Sequence, residues 1–222
     1  MIRIALLTAT LAGCAAAFGA EPATDAAYLL PGDYAQSTTI AEFQARYGKD
    51  NVRIAPLSDA ADAPRGLVLF PHDPSRRAYV AFHDEEALTD VASIVVRDRD
   101  SRWRGKQGVH VGMSLADLRQ ANRKPFYFSG FDDALQGMAH DAWSPALDDD
   151  DNALGALDVA EGEHMYFGVG LGPRAGAQPL PGDAFPHDEV SVSSDDPRFP
   201  RLGELFEVTE IRVSTSLDDE WE

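Results

Sequence analysis

The sequence predicts an α+β fold in which two tandem helix-plus-antiparallel-strand repeats pack their helices on an antiparallel sheet. Two observations predict it. Thr39-Ile40-Ala41-Glu42-Phe43 is answered 75 residues later by Ser114-Leu115-Ala116-Asp117-Leu118, and short β-rich runs follow each copy. In both copies a hydroxyl residue stands three positions ahead of a carboxylate. At that spacing the two side chains satisfy unpaired backbone N–H groups of a first helical turn.

The elements follow in order. Ile40, Phe43 and Tyr47 lie on one helical stripe, and Gly48 suits the left-handed position that ends a helix. Strands are predicted over Val52–Leu57, Gly66–Phe70, Ala78–His83 and Val91–Arg97, with Pro71-His72-Asp73-Pro74 as a turn. The second helix ends at Asn122 by a route similar to that of Gly48. Phe126–Phe131 is the next strand, and Phe126, Tyr127, Phe128 and Phe131 read as a core strand of period two rather than a binding face. His164–Leu171, Glu189–Ser193 and Glu207–Thr215 complete the strands. Residues between Asp132 and Glu163 read as an insertion containing an exposed acidic loop, and Gly172–Pro186 as a Gly- and Pro-rich loop. The first repeat is thus 36–107, the second 108–217, and 218–222 an acidic tail.

The amino terminus says where such a protein works. Met1-Ile2-Arg3 is a short cationic start, and the apolar run Ile4 to Gly13 leads to Cys14, the only cysteine. A charged start, a short apolar segment and small residues describe a secretory signal. The run is too short to span a bilayer, which needs about 20 apolar residues. Leu11-Ala12-Gly13-Cys14 resembles the lipobox of bacterial lipoproteins, in which the cysteine sulfur carries diacylglycerol and the chain is cut just before it. The resemblance implies a signal peptide over 1–13, lipidation at Cys14, a tether over 14–35 and a lipid anchor as the sole membrane attachment. It leaves no cysteine for a disulfide. Ala15, where retained lipoproteins carry aspartate, implies an outer-membrane lipoprotein facing the periplasm. The alternative is an ordinary signal cut after Ala17 or Gly19, which would release a soluble periplasmic or secreted protein.

Charge is strongly uneven. The chain carries a net −18; residues 1–125 are neutral, whereas 126–222 hold 22 acidic and 4 basic side chains. Such a surface repels nucleic acid and anionic headgroups and attracts cations or a basic protein. Solubility alone also follows from it. Within the acidic half, Asp148, Asp149, Asp150, Asp151, Asp195 and Asp196 are the candidate partner-binding residues. The basic run Arg97, Arg99, Arg102, Arg104 and Lys106, with Trp103 inside it, reads as a strand-to-loop surface or as a counterpart docked on the acidic half or on a partner.

Catalytic and metal signals are weak. Four of six histidines precede aspartate: His72-Asp73, His83-Asp84, His140-Asp141 and His187-Asp188. Histidine and carboxylate are Zn²⁺ ligands, yet none of these pairs has helical His-x-x-x-His spacing, and His72 and His187 each follow Phe-Pro as turn residues do. Asp148 to Asn152 offers hard oxygen ligands for Ca²⁺, but Ala153 stands where the EF-hand loop needs glycine and Val159 where it needs glutamate. There is no Gly-x-Ser-x-Gly elbow and no phosphate-cradling loop. No cofactor, metal or catalytic residue is therefore assigned.

The order of lipobox, tether, helix and strands is similar to that of two groups. One comprises small outer-membrane lipoproteins that assist the β-barrel assembly machinery. The other comprises β-lactamase inhibitor proteins with two tandem helix-plus-strands repeats. Leu11 to Cys14, Thr39 to Gly48 and Gly112-Met113-Ser114 carry the likeness; Ser37 stands where a glycine would open the first helix. The chain also resembles proteobacterial envelope proteins with a Gly-Met-Ser-Leu-Ala helix start. The first two resemblances imply an α+β binding scaffold, whereas the third brings no function with it; with no catalytic motif in the chain, a non-enzymatic protein is expected. The expectation is a protein that binds a basic envelope protein in an inhibitor or immunity role, with assembly scaffold or His–Asp metal-dependent hydrolase as alternatives.

Overall fold

The structure is a computed structural model that describes residues 28–131, 136–139, 143, 155–159, 165–176, 185–187 and 191–215. Its architecture is a mostly antiparallel, sheet-rich α+β fold with three α-helices among the described residues.

Local chemistry explains the helices. α1 spans Ile40–Tyr47, and Thr39 caps it in a reciprocal box: Glu42 N–H donates to Thr39 Oγ1 at 3.3 Å while Thr39 N–H donates to Glu42 Oε2 at 2.7 Å. The Thr39 N–H and hydroxyl, both donating to the carboxylate, hold Glu42 below its ordinary pKa. Gly48 ends the helix at φ +85°. α2 spans Leu115–Asn122, and Ser114 Oγ accepts from Asp117 N–H at 3.1 Å. Asp117 is one methylene shorter than Glu42 and takes the Ser114 hydroxyl proton at 2.6 Å rather than a backbone N–H. Asn122 does not close α2 in the way Gly48 closes α1. The left-handed residue is Arg123, at φ +66°. Asn122 is wholly buried, and its amide donates to the carbonyls of Lys124 and Trp143 and accepts from Leu157 N–H. That wiring occupies the side chain that the sequence reading reserved for a cap. α3 is a single turn, Leu202–Leu205.

The strands are β1 Val52–Pro56, β2 Arg65–Leu69, β3 Ala78–Asp84, β4 Thr89–Val96, β5 Tyr127–Phe128, β6 Met138–Ala139, β7 Met165–Pro173, β8 Val192–Ser193 and β9 Phe206–Thr215. β6 lies inside the stretch read as an insertion, and β7 runs two residues into the stretch read as a loop. Seven strands form one sheet in the order β1-β2-β3-β4-β9-β7-β6, and β5 pairs with β8 in a second, two-stranded one. β1 to β4 form a meander, and the last strand, β9, inserts between β4 and β7.

Alternation along the strands sorts the two faces. Leu67, Leu69, Val80, Ile94, Val96, Phe167, Val169, Ile211 and Val213 point into one core cluster with Phe43 of α1 and Leu115 and Leu118 of α2. Their neighbours Val68, Tyr79, Ala81, Ser93, Val95 and Arg212 take the other face. At one end of the core, Trp103 packs among Tyr28, Tyr34 and Tyr47, and its indole N–H donates to Arg76 O at 2.7 Å. Burial pushes the phenols of Tyr34 and Tyr47, which hydrogen-bond each other, above the usual tyrosine pKa.

Trp103 is fully buried, so its truncation should leave a large cavity. Trp103→Ala is expected to cost about 3–5 kcal/mol of unfolding free energy. Denaturant titration checks this, with Glu85→Ala, at an exposed turn position, as the comparison.

Candidate functional site

The sheet face opposite α1 and α2 holds the candidate site. Strand register lays side chains across it in rows. One row runs Arg53, Val68, Tyr79, Val95, Arg212 and Gly168 from β1 to β7. The next includes Ala81, Ser93, Ser214 and Tyr166. Short side chains at the middle of these rows leave a groove of about 220 Å³, floored by Ala81, Ser93 and Val95. Leu57 and Pro64, from the β1–β2 loop, make an apolar wall, and Arg97 and Arg212 make the opposite one. Leu57 reaches over this face because residue 66 is glycine: a Cβ there would stand 2.9 Å from both Leu57 methyl carbons.

The charged wall is tied together. Arg97 Nε donates to Glu210 Oε2 at 2.8 Å, and Arg212 donates through Nε and Nη2 to Glu210 Oε1 at 2.9 and 2.8 Å. Arg97 also lies over the Tyr79 ring at 5.5 Å. At the end of β9, the buried Thr215 hydroxyl donates to Val91 O at 2.6 Å. Its proton is thereby spent, so His83 Nε2, 3.0 Å from Thr215 Oγ1, is the donor in that contact.

The residues singled out in the sequence fall elsewhere. Cys14 and Asp148 to Asp151 lie outside the described residues, as do His140-Asp141, His164 and Asp188. Asp195 and Asp196 line a separate cleft of about 360 Å³ between α2, α3 and the turn after β8. Asp195 is exposed and accepts from Ser193 Oγ at 2.5 Å. Asp196 is engaged by the Arg198 guanidinium at 2.7 Å, which holds its carboxyl below the ordinary range. Asp73 and Asp84 cap turns: Asp73 accepts from Ser75 N–H and Arg76, and Asp84 from Glu86 and Ala87 N–H. Among the described residues no three His, Cys, Asp or Glu side chains converge as a metal cluster, and no helix is long and apolar enough to cross a membrane.

Three members of the basic run contact the second half of the chain. Besides Arg97 on Glu210, Arg99 makes a bidentate pair with the buried Glu207, and Lys106 donates to Asp158 O at 2.6 Å. Arg104 donates to the carbonyls of Ser101 and Trp103. Arg97, Glu210 and Arg212 were not recognisable as a set. The one available signal was that the basic run and the acidic half are opposite in sign.

No protein-family model, curated protein or solved structure matches the chain.

Glu210 is the sole carboxylate paired with either arginine of the wall among the described residues. Glu210→Ala should therefore cost about 1 kcal/mol of stability, because two partly exposed guanidiniums lose their shared counter-charge. Unfolding at low salt and at about 1 M salt checks this. The deficit should shrink in high salt, where like charges are screened within about 3 Å.

Proposed function

We propose that this chain is a non-enzymatic, lipid-anchored envelope protein that binds another protein through the open face of its sheet. The observation that carries the reading is the asymmetry of that sheet. One face is buried under α1, α2 and the aromatic cluster, while the other offers short side chains around a groove. A surface flattened by alanine, serine and glycine lets a partner approach the backbone closely, and a flanking Tyr and Arg supply the residue types enriched in interface centres.

The helix-plus-strand units are read here as tandem repeats. Support comes from the hydroxyl caps at Thr39 and Ser114 and from the strand order, in which β1-β2-β3-β4 meets β9-β7-β6. On this reading β8 and α3 are additions to the second repeat. The anchor rests on the lipobox-like string ending in Cys14, and Ala15 after it favours the outer membrane over retention at the inner one. The inhibitor or immunity role is favoured by the net charge of −18, which steers a basic partner toward the molecule.

Two measurements test this. Cys14→Ala should abolish diacylglycerol labelling and move the protein from the membrane pellet to the soluble fraction; retention in the pellet would contradict the anchor. A photo-crosslinking residue at Ala81, on the open face, should give one stoichiometric protein adduct in intact envelopes, while the same residue at the exposed Gln120 of α2 should give none. Adducts at Gln120 alone would overturn the face assignment. A secreted or hydrolytic partner at Ala81 would indicate inhibition, and a resident assembly component would indicate scaffolding.

A further inference from the structure

We propose that the open-face groove is a carboxylate-binding subsite, built to take a glutamate or aspartate flanked by apolar residues on a loop of the protein partner. The inference rests on the protein-binding reading above and specifies the chemistry of what docks.

Charge complementarity carries it. Two guanidiniums and one carboxylate leave one net positive charge on the groove wall. Arg97 spends only its Nε on Glu210, so both of its terminal nitrogens remain to donate. Arg212 keeps one terminal nitrogen in the same way. The two side chains are 46 % and 36 % exposed, whereas Glu210 is 15 % exposed beneath them, so the donors and not the carboxylate face an incoming group. Glu210 and the Tyr79 ring fix the Arg97 guanidinium before anything binds, which lowers the ordering cost.

The rest of the groove selects what surrounds the carboxylate. Leu57 and Pro64 offer apolar contact across the groove from the arginines. A peptide that placed an acidic residue beside an apolar one would satisfy both walls. One excess positive charge matches a carboxylate at −1; a phosphate monoester, at about −1.5 to −2, would leave the wall overcompensated. The inference also refines the partner expected from net charge. Over distances up to about the 8 Å screening length, the net charge of an acidic protein attracts a basic one. At contact the groove reads a single acidic residue. The partner is then basic overall and carries one acidic, apolar-flanked loop.

The test follows the side-chain Nε–Hε resonances of Arg97 and Arg212 by NMR in the full mature chain. Three probes are titrated: acetyl-Leu-Glu-Phe-amide, the same peptide with glutamine, and the same peptide with phosphoserine. The expected result is a saturable shift of both resonances with the glutamate peptide, about tenfold tighter than with the glutamine peptide. Binding of the glutamate peptide should weaken by a similar factor in Arg97→Gln. Equal affinity for glutamate and glutamine, or no shift with either, would overturn the carboxylate subsite. Tighter binding of the phosphoserine peptide would overturn it in favour of a phosphate site. The Ala81 crosslink is read separately. A crosslink there together with indifference to glutamate would leave the docking face standing and remove this inference alone.

Discussion

The pairing of β4 with β9 is the constraint on which the rest of the molecule depends. β9 is the last strand among the described residues, yet it lies between the first-half meander and β7. Four residue pairs, from Ser93 with Ser214 to Val96 with Ile211, form the seam. On the core side it is sealed by Ile94, Val96, Ile211 and Val213, all fully buried. Without that ladder the large sheet would divide into two smaller ones, and their exposed edges would be open to pairing with other chains. The same ladder creates the groove. Its alternate positions, Ser93, Val95, Arg212 and Ser214, are forced to the opposite face by the period of the strand. A slip of one residue in this register would send Ile211 and Val213 to the open face and Arg212 into the core.

Features governed by neighbours in sequence were legible. Both helices begin at the hydroxyl residues that the spacing indicated, because a cap is made within four residues. The β1 to β4 strands followed from β-branched runs broken by Pro, Gly and Asp. Features governed by distant neighbours were not. β6 is a two-residue edge held by β7, and α3 is one turn held against α2; neither is long enough to show a period. Asn122 looked like a helix terminator, but its amide is drawn inward by Trp143 and Leu157. The groove itself was invisible, since Tyr79, Arg97 and Arg212 meet only through strand order.

Charge illustrates the same division of scale. The whole-chain excess of acid pointed to aspartates as the recognition surface. Of those within the described residues, Asp196 is compensated by Arg198 in its own turn. The open face is locally cationic, although it belongs to a strongly acidic molecule. Net charge governs approach over distances near the screening length, and side-chain geometry governs what is held at contact. A protein can therefore draw in one sign of partner and read the other sign in a single pocket.

On this reading the partner sits on the open face of the sheet. Hydroxyl-radical footprinting of the envelope-extracted complex, compared with the protein alone, tests it most directly because it reads side chains and so separates the two faces. Tyr79 and Tyr166, which lie on the open face, should be protected, with Tyr127 and Phe199 unchanged. Protection of Tyr127 and Phe199 with Tyr79 unaffected would contradict it and move the interface to the side of β5, β8 and α3.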